Sequence, residues 1–324
     1  MLSFDEILQR IEQEVSCLPF NYPPDSLYAP IKYILSLGGK RIRPALALIA
    51  CNIYKDTIDD AIAPALSLEV FHNFTLLHDD LMDQADKRRN NPTVHKLWNA
   101  NTAILSGDAM VIASYKIIAG SKPEFLKELI DLFTTTALEI CGGQQYDMEF
   151  ESRSDVGEAE YLEMIRLKTA VLLACGLKMG AITGGAPTND TAHLYRYGLN
   201  IGLAFQLKDD LLDVYGDPGT FGKNIGGDIV CNKKTFLLIN ALKKATPGEQ
   251  RELCQWLAKK EFDPAEKIEA FRRIYNESGL KEMTEAKIQD YYDKALNHLA
   301  SLSVPEEKLS VLKEAGHILL HRVS

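Results

Sequence analysis

Two clusters of carboxylates stand out for their chemistry. Asp79, Asp80 and Asp83 follow directly on an apolar helical run through Val70, Phe71, Phe74, Leu76 and Leu77. Asp79 and Asp83 are four residues apart, so a helix stacks them on one face, one turn from each other, where two anions repel. The run Phe205-Gln-Leu-Lys-Asp-Asp-Leu-Leu-Asp213 repeats the arrangement, giving Asp209, Asp210 and Asp213. A single D-x-x-x-D pair is usually a solvated helix end. Two such clusters, each interrupting an apolar run, point to a shared polymetal site. Carboxylate oxygens are hard ligands suited to Mg2+, which takes one or two of them and completes its octahedron with water and phosphate.

Cations lie close to these carboxylates in sequence. Lys87, Arg88 and Arg89 follow the first cluster before Asn90, Asn91 and Pro92 break the pattern. Gly38-Gly-Lys-Arg-Ile-Arg-Pro44 sets Lys40, Arg41 and Arg43 after two glycines at the start of a helix, a place where backbone N–H groups and cationic side chains receive an anion. Arginine forks suit diphosphate oxygens. The stretch from Gly216 to Asp228 is glycine-rich and carries Lys223, with Lys233 and Lys234 just beyond. A loop of that kind is expected to fold its lysines over bound phosphates and exclude water.

The elements that position these groups read as helices. Strand-type alternation is nearly absent, and apolar residues recur at i, i+3 and i+4. Helices are expected near Phe4–Ser16, Ser26–Leu37, Arg43–Tyr54, Ile58–Asp83, Ala100–Ala119, Pro123–Phe150, Glu158–Ile182 and Ala192–Val214. Five more follow near Lys234–Ala245, Pro247–Lys259, Pro264–Glu277, Lys281–Leu302 and Glu306–Leu319. The stretches Lys168–Ile182 and Asn200–Leu212 are apolar around most of their circumference and belong inside a bundle. Lys168, Thr169 and Gln206 interrupt them and need partners there. No segment reads as an interdomain linker, so the expectation is one all-α domain over residues 1–324, a helical bundle with ligands projecting inward.

Composition narrows the function classes. The chain has 324 residues, 46% hydrophobic and 25% charged, with a formal net charge of −9. That balance argues against a nucleic-acid partner, which usually needs a basic face. Six cysteines show no C-x-x-C spacing, and buried reduced thiols are the expectation. The acidic amphipathic start, Met1 to Glu12, lacks the basic and apolar parts of a signal peptide. No run approaches the roughly twenty apolar residues that span a bilayer. The expectation is a cytoplasmic protein without a transmembrane segment.

Taken together, the chain resembles a trans-prenyltransferase, that is, a polyprenyl (isoprenyl) diphosphate synthase of the short-chain type. The matching pieces are G-G-K-R-I-R-P (38–44), D-D-x-x-D with R-R (79–89), G-Q-x-x-D (143–147) and K-T (168–169). They continue with F-Q-x-x-D-D-x-x-D (205–213), G-K (222–223) and K-x-T (233–235). The resemblance implies the isoprenoid synthase-type all-α bundle around a central cavity, a homodimer, and Mg2+ dependence with three ions per active site. It implies that Asp79, Asp80 and Asp83, with Asp209 and Asp213 opposite, hold Mg2+ on an allylic diphosphate, and that Asp210 belongs to the same catalytic set. Arg88, Gln144, Lys168, Lys223 and Lys233 would bind that diphosphate, with Thr169 and Gln206 beside the reacting carbon. Gly39, Lys40, Arg43, His72 and Arg89 would bind isopentenyl diphosphate. The end of the chain departs from part of the family, because His321-Arg322-Val-Ser carries one arginine in place of a longer basic tail.

This chemistry agrees with the residues. Breaking an allylic C–O bond leaves growing negative charge on diphosphate, which Mg2+, Lys and Arg stabilise. The cation must meet an alkene before water, which requires a closed apolar cavity. Two rivals are a class I terpene cyclase and a non-catalytic subunit of a heteromeric synthase. The cyclase reading is opposed by a second D-D-x-x-D where an N-D-x-x-S-x-x-x-E type motif is expected, and the subunit reading by the retention of every motif aspartate. Product length should be set below Asp79. At about 1.5 Å per residue, Phe74 lies about 7.5 Å and Phe71 about 12 Å down the helix, and either ring can form a floor, with the small Thr75 leaving the top open. The resulting expectation is geranylgeranyl diphosphate, narrowly ahead of farnesyl diphosphate.

Overall fold

The computed structural model describes residues 1–216 and 225–320, and these are almost entirely helical. In chain order the helices are α1 (Phe4–Ser16), α2 (Asp25–Ser36), α3 (Ile42–Tyr54), α4 (Asp59–Met82), α5 (Val94–Leu97), α6 (Ala100–Ile118), α7 (Pro123–Ser152) and α8 (Glu158–Ile165). They continue as α9 (Val171–Gly184), α10 (Thr188–Tyr215), α11 (Gly227–Val230), α12 (Phe236–Lys244), α13 (Pro247–Ala258), α14 (Pro264–Glu277), α15 (Leu280–Ala300) and α16 (Ser310–Leu320). Two two-residue strands, β1 (Lys87–Arg88) and β2 (Asn91–Pro92), pair antiparallel with Arg88 opposite Asn91.

Local chemistry explains many of the boundaries. Ser3 and Glu6 form a reciprocal capping box at α1, and Thr246 and Glu249 do the same at α13. Each box satisfies N–H groups that the first helical turn leaves without partners. Pro247 and Pro264 open α13 and α14, where a missing N–H costs nothing. α1 buries Phe4, Ile7, Ile11 and Val15 on one stripe, each burial contributing about 1.5–3 kcal/mol.

The residues group into two compact units. The first comprises residues 1–135, 175–195 and 301–315; the second comprises 136–174, 196–300 and the segment from 316 onward. In the first unit α4 packs chiefly on α6 and then on α3. Gly176, Gly180 and Gly184 let α9 meet the backbone of α3 directly: a Cβ at Gly180 would come to 1.9 Å from the Ala47 carbonyl. In the second unit one core gathers Phe150, Tyr161, Met164, Ile165, Leu207 and Phe236. Another gathers Leu211, Leu237, Leu253, Phe271 and Tyr275.

Three expectations are corrected. The single helix expected over 158–182 is α8, a π-helical turn at Arg166–Ala170, and then α9. Short α5 and the β1–β2 hairpin carry no periodicity of their own and occupy the break after the first aspartates. Of the six free cysteines only Cys51 and Cys175 are buried, because Cys17, Cys141, Cys231 and Cys254 fall on outward faces or turns.

Candidate active site

The first aspartate cluster closes α4. Asp83 is the C-cap residue, and its N–H donates to the Asp79 carbonyl at 2.8 Å, so the two side chains stand one turn apart as their spacing requires. Asp79 is half-buried and Asp83 exposed. Asp80 points the other way and is 1% exposed. Arg88 holds it, with Nε 3.0 and 3.2 Å from its two oxygens and Nη2 at 2.6 Å. Burial pushes the Asp80 carboxyl up, and Arg88 offsets part of that. The hairpin turns on Arg89 (φ 51°) and Asn90 (φ 64°). Two successive residues at positive φ form a primed turn, whose twist matches the flanking strands.

The Gly38–Pro44 segment, Arg89 and His72 meet in the first unit. Gly39, at φ 142°, has the Arg89 guanidinium against it: a Cβ there would lie 2.7 Å from Nη2. Arg43 Nη1 donates to His72 Nε2 at 3.0 Å, which places the imidazole proton on Nδ1. Burial, then Arg43, Arg89, Arg88 and Arg41 in turn, hold the His72 pKa well below its ordinary value, so the ring is neutral. Several arginines crowding one neutral imidazole make a site that an anion relieves. Lys40 is exposed on the same turn.

Arg41 does not belong to this receptor. Its side chain is 3% exposed and bonds Glu12 at 2.8 Å, Glu69 at 2.5 Å and the Leu35 carbonyl at 2.8 Å. Arg41 sits at φ 47°, a left-handed conformation that costs roughly 1–2 kcal/mol for a residue with a Cβ. Those bonds offset the strain and tie α1 and α4 to the start of α3.

The second unit carries the other half of the motif set. The π-helical turn Arg166–Ala170 holds Lys168 and Thr169, and both line one small cavity of about 50 Å3 with Asp147, Gln206, Asp210 and Tyr161. Such turns concentrate at functional sites because they re-aim side chains within a helix. Two glycines clamp the turn. A Cβ on Gly143 of α7 would lie 2.4 Å from the Lys168 nitrogen, and one on Gly202 of α10 would lie 2.6 Å from the Ala170 Cα. Lys168 Nζ donates to Asp147 at 2.6 Å, and Gln144 stands one turn before Asp147 on α7. Thr169 Oγ1 donates to Gln206 Oε1 at 3.1 Å, and Gln206 Nε2 to Asp210 Oδ1 at 3.0 Å.

The three aspartates of the second cluster differ in environment. Asp209 is half-buried. Asp210 is 3% exposed, and burial and Asp228 push its carboxyl up. Asp213, 8% exposed, accepts the Asp228 N–H at 3.0 Å and so caps α11. Lys233 lies 3.8 Å from Asp228. Burial works against its charge, but Asp228, Asp210, Asp147 and Asp209 outweigh that and keep it protonated. Lys223 lies outside the described residues, as does Arg322.

Phe71 and Phe74 belong to an aromatic column in the first unit. His78 and Phe74 are 4.8 Å apart by ring centroids, Phe74 and Phe71 5.3 Å, Phe71 and Phe133 5.3 Å, and Phe133 and Tyr115 5.0 Å. Thr75 donates its hydroxyl to the His72 carbonyl. Three participants escaped the sequence reading as site residues, Tyr161, Asp228 and Phe133, and Asp147 entered it only as the last position of G-Q-x-x-D, with no role. Tyr161 was findable, since it precedes Lys168 by seven residues, two helical turns on one face.

Among the described residues, no three His, Cys, Asp or Glu side chains stand close enough to hold a metal by themselves. The donor set nevertheless fits Mg2+. Asp79 and Asp83 present carboxylate oxygens in the first unit, as does Asp209 in the second, and this ion needs only one or two, taking the rest from water and phosphate. Asp80 accepts from Arg88 and Asp213 from the Asp228 N–H, and a carboxylate keeps further lone pairs beside such bonds.

A family model described as polyprenyl synthetase matches residues 24–275. The chain belongs to that family. It is 38% identical over 309 residues to a short chain isoprenyl diphosphate synthase of Methanothermobacter thermautotrophicus, covering 95% of this chain and 90% of that one. It is 33% identical over 308 residues to a geranylfarnesyl diphosphate synthase of Aeropyrum pernix, covering 93% and 95%. A crystal structure of a geranylgeranyl pyrophosphate synthase covers all of both chains with a TM-score of 0.92 and 43% identity. The bundle is thus the all-α isoprenoid synthase fold, and the chain is a short-chain prenyltransferase. No described helix is long and apolar enough to cross a membrane.

Proposed function

We propose that the chain condenses isopentenyl diphosphate with allylic diphosphates (dimethylallyl, geranyl, farnesyl) to an all-trans prenyl diphosphate, by ionisation, condensation and elimination. The observation that supports this reading is a cluster of cationic side chains in each unit, which we read as two anion receptors. One is the Gly39, Lys40, Arg43, His72 and Arg89 cluster of the first unit. The other is the Lys168, Gln144 and Lys233 set of the second. A terpene cyclase takes one diphosphate and has no use for the first receptor.

In this reading the two units act as one catalytic domain over 1–324, and both aspartate clusters serve the allylic diphosphate. Asp79, Asp83 and Asp209 would hold Mg2+, three ions being the expected number. When bound, the metal neutralises the charge that develops on the leaving diphosphate. Arg88, Lys168, Lys223 and Lys233 bind the same group, and Lys168, held by Asp147, is aimed before substrate arrives. Asp80 orients Arg88. Asp213 orients α11 and with it the Asp228–Lys233 pair. Thr169 and Gln206 present oxygen atoms to the allylic carbon. The departing diphosphate accepts the proton lost in the elimination.

Geranylgeranyl diphosphate is the proposed product, ahead of farnesyl diphosphate, with Phe74 and Phe71 as the floor. A homodimer is supported by α6, whose Leu105 and Ile112 are 60% and 70% exposed beside an apolar groove of about 610 Å3. A second copy would cover that face, and Ile112→Asp would yield monomers by light scattering. The cytoplasm is the proposed site of action, supported by six free cysteines, four of them exposed.

The test is purified protein with Mg2+, an allylic diphosphate and labelled isopentenyl diphosphate. Elongated prenyl diphosphate is expected. A cyclic hydrocarbon from the allylic substrate alone, or no turnover, would overturn the reading. Arg43→Ala should raise KM for isopentenyl diphosphate and Lys168→Ala KM for the allylic substrate.

A further inference from the structure

Tyr161 has no place in the chemistry above, yet its setting is unusual. It is 1% exposed on α8, packed among Met164, Ile165 and Phe236, and its hydroxyl donates to Asp210 Oδ2 at 2.5 Å. The other oxygen of Asp210 accepts Gln206 Nε2 at 3.0 Å, and Gln206 Oε1 accepts the Thr169 hydroxyl at 3.1 Å. Four side chains from α8, the π-helical turn and α10 therefore form one directed chain, and all four line the same cavity.

The direction of that chain follows from donor counting. A side-chain amide has one donor end and one acceptor end. Asp210 Oδ1 receives the donor end, which leaves the oxygen of Gln206 for Thr169. A threonine hydroxyl has a single proton, and Gln206 takes it. The remaining lone pairs of Thr169 Oγ1 then face the cavity. Were the amide turned over, Thr169 would have to accept from Gln206 and point its proton into the cavity, where a cation is poorly served. One fixed donor at the far end keeps Asp210 from turning, and Tyr161 supplies it.

We propose that Tyr161 is a positioning residue for prenyl transfer: by anchoring Asp210 it fixes the amide of Gln206, and through it the hydroxyl of Thr169, with oxygen lone pairs toward the allylic carbon. The inference rests on the function proposed above. It assigns Asp210 to orientation, and leaves isopentenyl diphosphate binding untouched.

The experiment uses the full-length protein with Mg2+ and both substrates, measuring kcat, each KM, and the ratio of elongated product to prenyl alcohol. Tyr161→Phe deletes only the hydroxyl. Loss of the hydrogen bond that holds Asp210 predicts a fall in kcat of about tenfold. KM for isopentenyl diphosphate should not change, and the alcohol fraction should rise as the allylic cation is captured by water. In a Gln206→Met background, Tyr161→Phe should add less than twofold, because the element it orients is gone. Should Tyr161→Phe fail to give a cooperative melt, Asp210→Asn decides the same question, since it keeps the acceptor for Tyr161 and offers Gln206 a donor, reversing the amide. Wild-type kcat and alcohol fraction in Tyr161→Phe, or independent multiplication of the Tyr161 and Gln206 effects, would overturn the proposal. Failure of the wild-type protein to elongate would instead overturn the functional reading.

Discussion

Arg88 of β1 clasps both carboxylate oxygens of Asp80, eight residues earlier on α4. The carboxylate is 2% exposed and the guanidinium 29%. Within one D-D-x-x-D motif, therefore, neighbouring aspartates have different surroundings: Asp80 is buried against a cation, whereas Asp79 is half-buried and Asp83 exposed. We predict that Asp79→Ala or Asp209→Ala abolishes turnover with the fold intact, whereas Arg88→Met also destabilises the protein by roughly 3 kcal/mol, because it leaves Asp80 buried without its partner. Turnover assays and urea denaturation of the three variants separate the roles. Near-normal turnover of both aspartate variants at saturating Mg2+ would reject the metal assignment.

His72 makes stability depend on pH. Its pKa in the folded protein lies well below 6.5 through burial and the surrounding arginines. The unfolded chain therefore binds this proton more readily, and stability is retained above about pH 6.5 and lost as pH falls below it. Denaturation midpoints should decline through that window, and His72→Gln should flatten the decline. Inorganic pyrophosphate should restore part of the lost stability in the wild-type protein by neutralising the arginines. An identical pH profile in His72→Gln would assign the decline to other groups.

The glycine clamp on the π-helical turn predicts a kinetic effect from small substitutions. Gly143→Ala would put a methyl 2.4 Å from the Lys168 nitrogen, and Gly202→Ala one 2.6 Å from the Ala170 Cα. The neighbours are backbone, so the turn must move. Each variant is expected to lower kcat at least tenfold and raise KM for the allylic substrate, with KM for isopentenyl diphosphate unchanged. Equal losses for both substrates would indicate general misfolding.

What the sequence made legible, and what it did not, follows from how each feature is encoded. The aspartates, Lys168 and Arg43 were readable because chemistry and spacing are local. Long helices such as α1 and α14 were readable because apolar period and caps are local too. The role of Arg41 was not, since its partners Glu12 and Glu69 are 29 and 28 residues away and only packing brings them together. The same holds for the second contact of Asp213, whose carboxylate also accepts the Asp228 N–H from 15 residues on. The π-helical turn was hidden because Arg-Leu-Lys-Thr-Ala has ordinary helical composition, and the glycines that make room for it lie far off in sequence on α7 and α10.

Product length offers the sharpest test of the aromatic column. Phe74 is half-buried, whereas Phe71 and Phe133 are 2% and 0% exposed. A tail descending from Asp79 would reach Phe74 first and Phe71 next, and Phe133 of α7 backs Phe71 at 5.3 Å. Phe74→Ala should therefore lengthen the product at small cost in stability. Phe71→Ala should lengthen it too, while costing about 3–5 kcal/mol for the cavity it opens. Phe133→Ala alone should cost similarly yet leave the product unchanged, because Phe71 still closes the way. Combining Phe71→Ala with Phe133→Ala should extend the product beyond either single variant. Chromatography of the dephosphorylated products reads each outcome. Unchanged products from both Phe74→Ala and Phe71→Ala would place the floor on another helix, and longer products from Phe133→Ala alone would mean that the tail passes beside Phe71.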